Sequence, residues 1–507
     1  MNNTTYDVII IGAGISGTCI ARELSKTNAK VCLIDKEDDV SCGSSKANSG
    51  IVHAGYDAKS GTLMAKYNVR GAELYPSLSK KLNFDYKNIG SLVLAFDEDG
   101  VKKLDELLLR GKKNGVKGLR IVEQEELRSM EKNINENAVA ALYAPSAGII
   151  SPYQSTWAFA ESAVINGTTF LRSTMVHSIS KNEDGTFTLQ TSSGILQTKF
   201  IVNAAGLAAD KISKMAGARD FTILQRRGEY CLLDNKCENL ENHVLFQTPG
   251  PLGKGVLITQ TVDGNILIGP SADDATNETL DYTGTTSASQ SAILQSAVRS
   301  VTDIPKRNII NSFAGIRAIA YQKNAEQKLE PVNDFIVEED KNVKGFVNVA
   351  GICSPGLTSA PAIAEDVVVI LKKAGLKTEQ NKNFIEERKG IPSFKHSDKK
   401  EKLSLIKQNP LYGQIICRCE MITEGEIVAS IHSPIGAVDL DGVKRRTRAG
   451  MGRCQSGFCS PRVTEILSRE LGVPMIDITK RGGTSYVLDS KTRATVEDII
   501  IKKTTQE

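Results

Sequence analysis

The stretch Asp7-Val-Ile-Ile-Ile-Gly12-Ala-Gly14-Ile-Ser-Gly17 decides the fold. Its unbroken apolar run over residues 7–11 predicts a buried parallel strand, and the apolar spacing over residues 15–26 predicts a helix directly after it. Residues 31–34, Val-Cys-Leu-Ile, predict a second strand. A strand, a glycine-rich turn and a helix in this order are typical of a Rossmann-type α/β domain that binds a dinucleotide.

The glycines of this turn have separate roles. Gly12 allows the tight turn, Gly14 lets the backbone approach a pyrophosphate, and Gly17 lets helix and strand pack closely. Asp35 ends the second strand, where a carboxylate accepts hydrogen bonds from a ribose. A turn that merely suits the packing is the alternative, and the strand-turn-helix context favours the dinucleotide. The loop does not distinguish FAD from NAD. The small polar segment at residues 43–50 suits a path beside a flavin, or an ordinary surface loop.

Length and composition exclude several classes of protein. The chain has 507 residues, which suggests two or three domains, and 40% hydrophobic with 24% charged residues excludes wholesale disorder. A net charge of +4 argues against a nucleic-acid partner. No apolar run reaches the roughly 18 residues of a membrane span, and the N-terminus lacks a signal-peptide pattern. We therefore expect a cytoplasmic protein without a transmembrane segment; peripheral contact with a membrane is left open.

Later segments predict a sheet that is interrupted by insertions. Residues 199–203 and 345–349 are expected to return to the first sheet as strands. Residues 91–145 contain charged helical stretches, and residues 220–312 alternate like antiparallel strands. We assign both insertions to a substrate-side domain.

The ten cysteines require a metal or redox explanation in a reducing compartment. Cys417, Cys419, Cys454 and Cys459 form two tight pairs, which is a strong metal signal. Zinc is one reading, although Cys-x-Cys is tighter than the usual zinc spacing, and an iron–sulfur cluster is the other. The remaining six cysteines are expected to be small buried residues.

Several motifs resemble the FAD-dependent D-amino-acid oxidase superfamily, and within it the glycerol-3-phosphate oxidases and dehydrogenases. The first is Asn48-Ser-Gly-Ile-Val-His-Ala-Gly55, and the others follow in order: Arg227-Gly-Glu-Tyr230, Gly253-Lys-Gly-Val-Leu257, Phe313-Ala-Gly-Ile-Arg317 and Ser354-Pro-Gly-Leu-Thr-Ser-Ala-Pro361. The resemblance implies a Rossmann-type FAD-binding domain with an inserted antiparallel-sheet substrate domain over residues 1–375. Its FAD-binding segments would be about 1–90, 146–219 and 313–375, and its substrate segments about 91–145 and 220–312.

The same resemblance implies site residues. His53 would be the catalytic base, Ser354 a pocket residue, and Lys254 and Arg317 anchors for an anionic substrate, with Arg317 in a glycine-rich turn. A second cation suits a phosphate dianion better than a carboxylate. The expected FAD contacts are Gly12, Gly14, Ile15, Ser16, Gly17, Asp35, Lys36, Ser44, Ser45, Asn48, Ser49, Val176, Gly206, Gly351, Gly356, Leu357 and Thr358.

A second resemblance covers the cysteine pairs. Residues 409–420 and 452–460 resemble the bacterioferritin-associated ferredoxin-like (BFD-like) [2Fe–2S] domain, a small helical module, over residues 411–470. This favours a [2Fe–2S] cluster over zinc. Residues 376–410, which are polar and Lys-rich, are expected to be a linker, and residues 471–507 a tail.

Together these patterns predict an FAD-dependent dehydrogenase that oxidises glycerol 3-phosphate to dihydroxyacetone phosphate. Electrons would leave through the cluster to an acceptor protein or a quinone. L-2-hydroxyglutarate dehydrogenase is the rival within catalysis, and a non-catalytic electron-transfer subunit is the rival of another class.

Overall fold

The computed structural model describes residues 4–248, 255–274 and 281–490, and the chain divides into two units, Met1–Gly390 and Ile391–Glu507. The strands are β1 (Thr4–Ile11), β2 (Val31–Ile34), β3 (Ile51–Val52), β4 (Tyr86–Lys87), β5 (Ser91–Ala95), β6 (Arg120–Glu123), β7 (Ala140–Ala144), β8 (Gly148–Ile150), β9 (Thr169–Leu171), β10 (Val176–Lys181), β11 (Phe187–Thr191), β12 (Gly194–Asn203), β13 (Thr222–Leu233), β14 (Val244–Gln247), β15 (Leu257–Gln260), β16 (Ile266–Gly269), β17 (Asp273–Asp274), β18 (Ile309–Lys323), β19 (Leu329–Pro331), β20 (Ile336–Glu339), β21 (Phe346–Ala350), β22 (Ile415–Cys417) and β23 (Ile422–Thr423). The helices are α1 (Ile15–Ser25), α2 (Leu63–Leu82), α3 (Glu98–Lys113), α4 (Gln124–Met130), α5 (Pro152–Ile165), α6 (Ala209–Met215), α7 (Ser287–Ala297), α8 (Gly356–Lys373), α9 (Lys399–Gln408), α10 (Glu424–Ile431), α11 (Leu440–Thr447) and α12 (Ser460–Leu471).

The first sheet of the first unit is the predicted Rossmann-type sheet. Its strand order is β10-β11-β12-β1-β2-β9, and β21 joins β12 and carries β20 at its other edge. The central strand β1 runs parallel to both β2 and β12, and Val8, Ile9 and Ile10 are fully buried in it. Burial on both faces explains the unbroken apolar run of β1. The returning strands at 199–203 and 345–349 are confirmed as parts of β12 and β21, which pair in parallel.

The second sheet contains the strands of the two predicted insertions together with β18 and β19, which continue to residue 331, past the expected boundary at residue 312. Its order is β19-β18-β13-β16-β15-β14-β5-β7-β6, with β17 on β13. The insertions meet where β14 pairs in parallel with β5, and the other pairs are antiparallel. Two apolar clusters cover this sheet, one packed against α3 and the other against α4 and α7.

The expected glycine-rich turn at Arg317 is wrong. Arg317 lies inside the 15-residue strand β18, which pairs with β13 along its length. Gly315 is present because a Cβ there would overlap the carbonyl oxygen of Ala47, which crosses the strand. The glycine therefore marks a close approach of two backbones and not a turn.

The chain leaves the first unit later than the predicted linker begins. Gln380 forms a β-bridge with Thr27, and the buried Arg388 pairs with Glu161 at 2.5 Å. Arg388 also donates to the carbonyl oxygens of Leu82 and Asn83. Residues up to 390 therefore belong to the first unit, to which the bridge of Gln380 and the ion pair of Arg388 attach them.

The second unit is small and mainly helical. A compact core under β22 and β23 is formed by α10, α11 and α12, and it includes Ile427, Val443 and Leu467. Part of the predicted tail packs here: Ile478 is buried, and Thr479 accepts a backbone hydrogen bond from Leu440. Residues 491–507 lie outside the described residues. Within the described ranges, none of the helices has both the length and the apolar character of a membrane span.

Candidate active site and cofactor sites

The turn between β1 and α1 has the shape that a dinucleotide requires. Gly12 has φ +107°, and a Cβ there would overlap the carbonyl oxygen of Ala204. A Cβ at Gly17 would overlap the carbonyl oxygen of Gly12, so only glycine lets α1 lie this close to the turn. Gly14 caps α1 without a side-chain hydrogen bond, and Ser16 is buried in the first turn. Gly14 adds no side chain that would block the approach of a phosphate to the helix N-terminus, although Ser45 Oγ occupies the N–H of Ile15.

Asp35 lies beside this turn, as predicted from its position after β2. Its carboxylate accepts hydrogen bonds from the backbone N–H groups of Ala13 at 2.6 Å and Glu37 at 3.0 Å. Burial raises the pKa of Asp35 to about 6, while these two N–H donors act in the opposite direction. Each carboxylate oxygen can accept a further hydrogen bond, so the site has capacity for ribose hydroxyls. The neighbouring Lys36 is exposed.

The small polar segment at residues 43–50 connects the turn to the second sheet. Ser45 Oγ accepts from the backbone N–H of Ile15 at 2.9 Å, and Ser44 Oγ donates to the carbonyl oxygen of Ile316 at 2.5 Å. Asn48 Nδ2 donates to the carbonyl oxygens of both serines. This segment is therefore an ordered bridge between the dinucleotide turn and β18.

The other expected FAD contacts lie at the ends of strands. Gly206 and Gly351 have φ +57° and +66° and follow β12 and β21 closely. Val176 begins β10, two residues after Thr174, whose backbone N–H donates to the carbonyl oxygen of Asp35. Gly356, Leu357 and Thr358 form the first turn of α8. Ser49 contacts the Tyr230 side chain.

His53 follows β3 and is fixed through its backbone. Its N–H donates to Thr358 Oγ1 at 2.9 Å, and its carbonyl oxygen accepts from Asn68 Nδ2 at 2.6 Å. The imidazole ring lies 5.8 Å from the Phe246 ring, centroid to centroid. Thr358 belongs to α8, Asn68 to α2 and Phe246 to β14, so the histidine lies where these two helices meet the second sheet.

A small recess of about 60 Å³ opens beside His53. It is lined by His53, Gly55, Tyr56, Asp57, Ala58, Met64, Asn68, Ser354 and Pro355. The structure therefore brings together His53 and Ser354, which are about 300 residues apart in the sequence. A basic imidazole and a hydroxyl at one recess can accept a proton from an alcohol and orient it.

Arg317 is a half-buried cation on the strand pair β13–β18. Its register partner Arg226 pairs with Asp274 at 2.6 Å, whereas Arg317 has no side-chain hydrogen bond or ion pair within the described ranges. Arg317 Nη2 lies near Gly228, 3.6 Å from the position of a Cβ there, while Gly228 itself is required by Pro270, whose Cβ would lie 2.8 Å from that position. Arg317 is absent from the described lining of the recess. Lys254 lies outside the described residues.

The four cysteines of the second unit form two contacting pairs. Cys419 and Cys454 have sulfurs 3.6 Å apart. A hydrogen bond from Cys459 lowers the pKa of Cys417 to about 6, helped by the backbone N–H groups of Gly450 and Glu420, and the same bond raises the pKa of Cys459. Thiolates with backbone donors are typical ligands of an iron–sulfur cluster.

Two further features concern the metal. A side chain at Gly452 would overlap Cys419, so glycine allows the two cysteine loops to approach. In the part of the chain that the structure describes, no three His, Cys, Asp or Glu side chains converge on the position of a single ion. Two separate thiol pairs fit a two-iron cluster better than one zinc ion.

Asn68 is the site residue that sequence reasoning missed. It is 2% exposed on α2, in line with the buried Gly71, Ala72 and Tyr75. A polar side chain on the buried stripe of a helix is the signal that could have identified it, since such groups need a hydrogen-bond partner.

The comparisons with known proteins agree with this geometry. The family model "FAD dependent oxidoreductase" matches residues 7–369, and the model "BFD-like [2Fe-2S] binding domain" matches residues 415–469. The chain is 49% identical over 492 residues to a glycerol 3-phosphate dehydrogenase of Caloramator mitchellensis, covering 97% of this chain and 100% of that protein. It is 33% identical over 390 residues to a glycerol 3-phosphate oxidase of Mycoplasma genitalium, covering 75% of this chain and 98% of that protein.

A solved structure supports the same assignment. The dithionite-reduced L-alpha-glycerophosphate oxidase of Mycoplasma pneumoniae with FAD bound has a TM-score of 0.70 and 32% identity, covering 76% of this chain and 98% of that one. The predicted fold class and both cofactors are thereby confirmed. The chain belongs to the FAD-dependent oxidoreductase family, with FAD as its cofactor, and carries a BFD-like [2Fe–2S] binding domain at residues 415–469.

Proposed function

We propose that this chain is a glycerol 3-phosphate dehydrogenase, which forms dihydroxyacetone phosphate and passes electrons through its [2Fe–2S] cluster to an acceptor. The observation that carries the proposal is the recess shared by His53 and Ser354, next to the segments expected to hold FAD. The similarity to the Caloramator enzyme over almost the whole of both chains supports the substrate.

Oxidation of a secondary alcohol removes a hydride from carbon and a proton from the hydroxyl group. FAD, when bound, supplies the hydride acceptor. His53 takes the hydroxyl proton, because an imidazole has the unperturbed pKa near neutrality that a general base needs. The two backbone hydrogen bonds of His53 keep the ring in position for this transfer, and Ser354 orients the hydroxyl group.

The phosphate of the substrate needs cationic partners. Arg317 is suited to this role because its guanidinium is not neutralised by a described acidic residue, unlike that of Arg226. A planar guanidinium binds phosphate through two parallel hydrogen bonds. Lys254 is proposed as the second cation, from its position in the family motif Gly253-Lys-Gly-Val-Leu257.

The four cysteines of the second unit would hold the group that carries electrons onward. A [2Fe–2S] cluster supplies one-electron transfer. The hydrogen bond from Cys459, helped by the backbone N–H groups of Gly450 and Glu420, lowers the pKa of Cys417 and so favours the thiolate, which is the form that binds iron.

Anaerobic absorbance spectroscopy of the purified chain tests the substrate and the electron route separately. We expect glycerol 3-phosphate to bleach the flavin band rapidly, and the longer-wavelength cluster absorption to bleach afterwards. L-2-hydroxyglutarate is the matched control, since it is also an anionic secondary alcohol. Bleaching of the flavin band by L-2-hydroxyglutarate but not by glycerol 3-phosphate would overturn the proposal that glycerol 3-phosphate is the substrate. A cluster that stays oxidised while the flavin is reduced would overturn the electron route.

A further inference from the structure

The two loops that carry the cysteines expose unusual side chains. Phe458, which directly precedes Cys459, is 86% exposed, more than any other large apolar side chain in the described ranges. Met421, two residues after Cys419, is 40% exposed, and Cys419 itself is exposed. An exposed phenylalanine has no role in the core of the unit, and large exposed aromatic side chains are typical anchors of protein interfaces.

The exposed charge of these loops has one sign. Arg418 stands between the ligands Cys417 and Cys419, and Arg453 stands directly before Cys454; both are exposed. The acidic residue of the same loops, Glu420, is buried and pairs with Arg448 at 2.9 Å. Over residues 417–420 and 450–460, which the structure describes in full, the exposed charged side chains are therefore arginines.

The two arginines adjoin one cysteine pair, and Phe458 adjoins the other, because it directly precedes Cys459, which pairs with Cys417. The sulfurs of Cys419 and Cys454 are 3.6 Å apart, so Arg418 and Arg453 flank one point where the two loops meet. We define Arg418, Met421, Arg453 and Phe458 as the cluster face. It combines two exposed apolar side chains with two exposed arginines, and each of the four residues lies within two positions of a cysteine of the site.

We propose that the cluster face docks a small acidic protein that carries one electron at a time. Charge complementarity favours this partner, because exposed arginines beside an apolar anchor attract an acidic surface and repel a basic one. The proposal rests on the proposed function for the direction of electron flow. For each alcohol oxidised to a ketone, two electrons and two protons leave the substrate. The protons go to solvent, and two molecules of the oxidised carrier are each reduced by one electron.

The binding experiment needs no substrate, so its failure is distinguishable from failure of the proposed function. The full chain, loaded with both cofactors, is titrated by calorimetry with rubredoxin, a small acidic one-electron carrier. Cytochrome c, a small basic carrier, is the control of opposite charge. We expect binding of rubredoxin at low ionic strength, at least tenfold weakening between 20 and about 500 mM salt, and no binding of cytochrome c under the same conditions.

Variants then locate the contact. Phe458→Ala and Arg418→Glu should each raise the Kd for rubredoxin at least tenfold, with iron content and flavin reduction by glycerol 3-phosphate unchanged. Leu403→Ala on α9 and Arg481→Glu are matched controls, since Leu403 is 60% exposed and Arg481 is exposed, outside the two loops. We expect these to change the Kd less than twofold. Arg418→Gln should lie between the wild type and Arg418→Glu.

Three results would overturn the proposal. One is that the wild-type chain does not bind rubredoxin, or binds it with a Kd that does not change with salt. The second is equal or tighter binding of cytochrome c. The third is equal affinity for rubredoxin in the cluster-face variants and their controls, and this comparison remains valid if one variant loses its iron. Slower cluster reduction by substrate with unchanged carrier binding would instead assign the face to electron transfer within the chain.

Discussion

Asn68 donates a hydrogen bond of 2.6 Å from its Nδ2 to the carbonyl oxygen of His53. The donor belongs to α2, whereas Thr358, which accepts the N–H of His53, belongs to α8. The two helices touch at Gly71, where a Cβ would overlap the carbonyl oxygen of Thr358. The position of the histidine is therefore set by the packing of two helices that are far apart in sequence.

Asn68→Ala should slow flavin reduction by glycerol 3-phosphate at least about tenfold, because a small displacement of a catalytic group has a large effect on rate. FAD should be retained, and the free energy of unfolding should fall by about 1 kcal/mol, the usual value of a lost hydrogen bond. Stopped-flow absorbance and denaturant unfolding measure the two quantities.

Asn265→Ala is the matched control for Asn68. Asn265 is also buried and donates from Nδ2 to a backbone carbonyl, that of Leu233 at 2.9 Å, in the second sheet. A similar loss of stability with an unchanged reduction rate is expected. Equal slowing in both variants would mean that Asn68 has a general structural role and does not position His53.

His53→Ala should slow flavin reduction at least about a hundredfold, since a general base contributes two to four orders of magnitude. The FAD content of the purified protein should be unchanged, because the proposed role of the side chain concerns the substrate proton. His177→Ala, at an exposed position of β10, should behave as the wild type. An unchanged reduction rate in His53→Ala would remove its catalytic role.

The dinucleotide-binding half of the fold was predictable because its signals are local. Gly12, Gly14 and Gly17 follow an apolar strand at fixed spacing, and Gly17 is required by the carbonyl of Gly12 within the same turn, although Gly12 itself lies against the distant Ala204. Asp35 follows from the same pattern, as its distance from the turn is set by one helix and one strand.

The parts that the sequence did not predict depend on distant contacts. Gly315 resembles a turn residue in the sequence, but it is required by the backbone of Ala47. In the sequence, Arg388 is one of several charged residues in a segment predicted to be a polar linker. In the structure it is buried against Glu161, 227 residues away. Asn68 acquires its role from His53, and no local pattern names that partner.

FAD affinity should fall as the pH is lowered through about 6. Burial raises the pKa of Asp35 to about 6, and in the contact proposed for FAD the ribose hydroxyls would donate to its charged form. Protonation therefore removes an acceptor that the bound cofactor needs, and bound FAD in turn lowers the pKa of Asp35. Between pH 7 and 5 the dissociation constant should rise up to about tenfold, since below the free-protein pKa each pH unit contributes at most a factor of ten.

Fluorescence titration of the FAD-free protein at each pH measures this dependence. Asp35→Asn should bind FAD more weakly at pH 7 and lose most of the pH dependence. Glu37→Gln, which removes the adjacent half-buried carboxylate, is the control and should keep the wild-type profile. A pH dependence that survives in Asp35→Asn would assign it to another group.

Arg317→Ala should raise the KM for glycerol 3-phosphate by about tenfold to a hundredfold, because a charge-assisted hydrogen bond contributes roughly 1.5 to 3 kcal/mol. The kcat should change less, since a phosphate anchor binds ground state and transition state alike. Arg317→Lys should recover part of the affinity, as it keeps the charge but loses the paired donors.

The matched control for Arg317 is its register partner on the neighbouring strand. Arg226 has the same chemistry and faces the same side of β13–β18, but Asp274 neutralises it. Arg226→Ala should therefore leave the KM within about threefold of the wild type, because partly exposed ion pairs contribute little. Steady-state kinetics are measured with glycerol 3-phosphate and, in parallel, with glycerol, which has the alcohol but no phosphate. The effect of Arg317→Ala on the KM should therefore be absent with glycerol. An equal effect of Arg317→Ala on both substrates would place the arginine in the alcohol chemistry instead of phosphate binding.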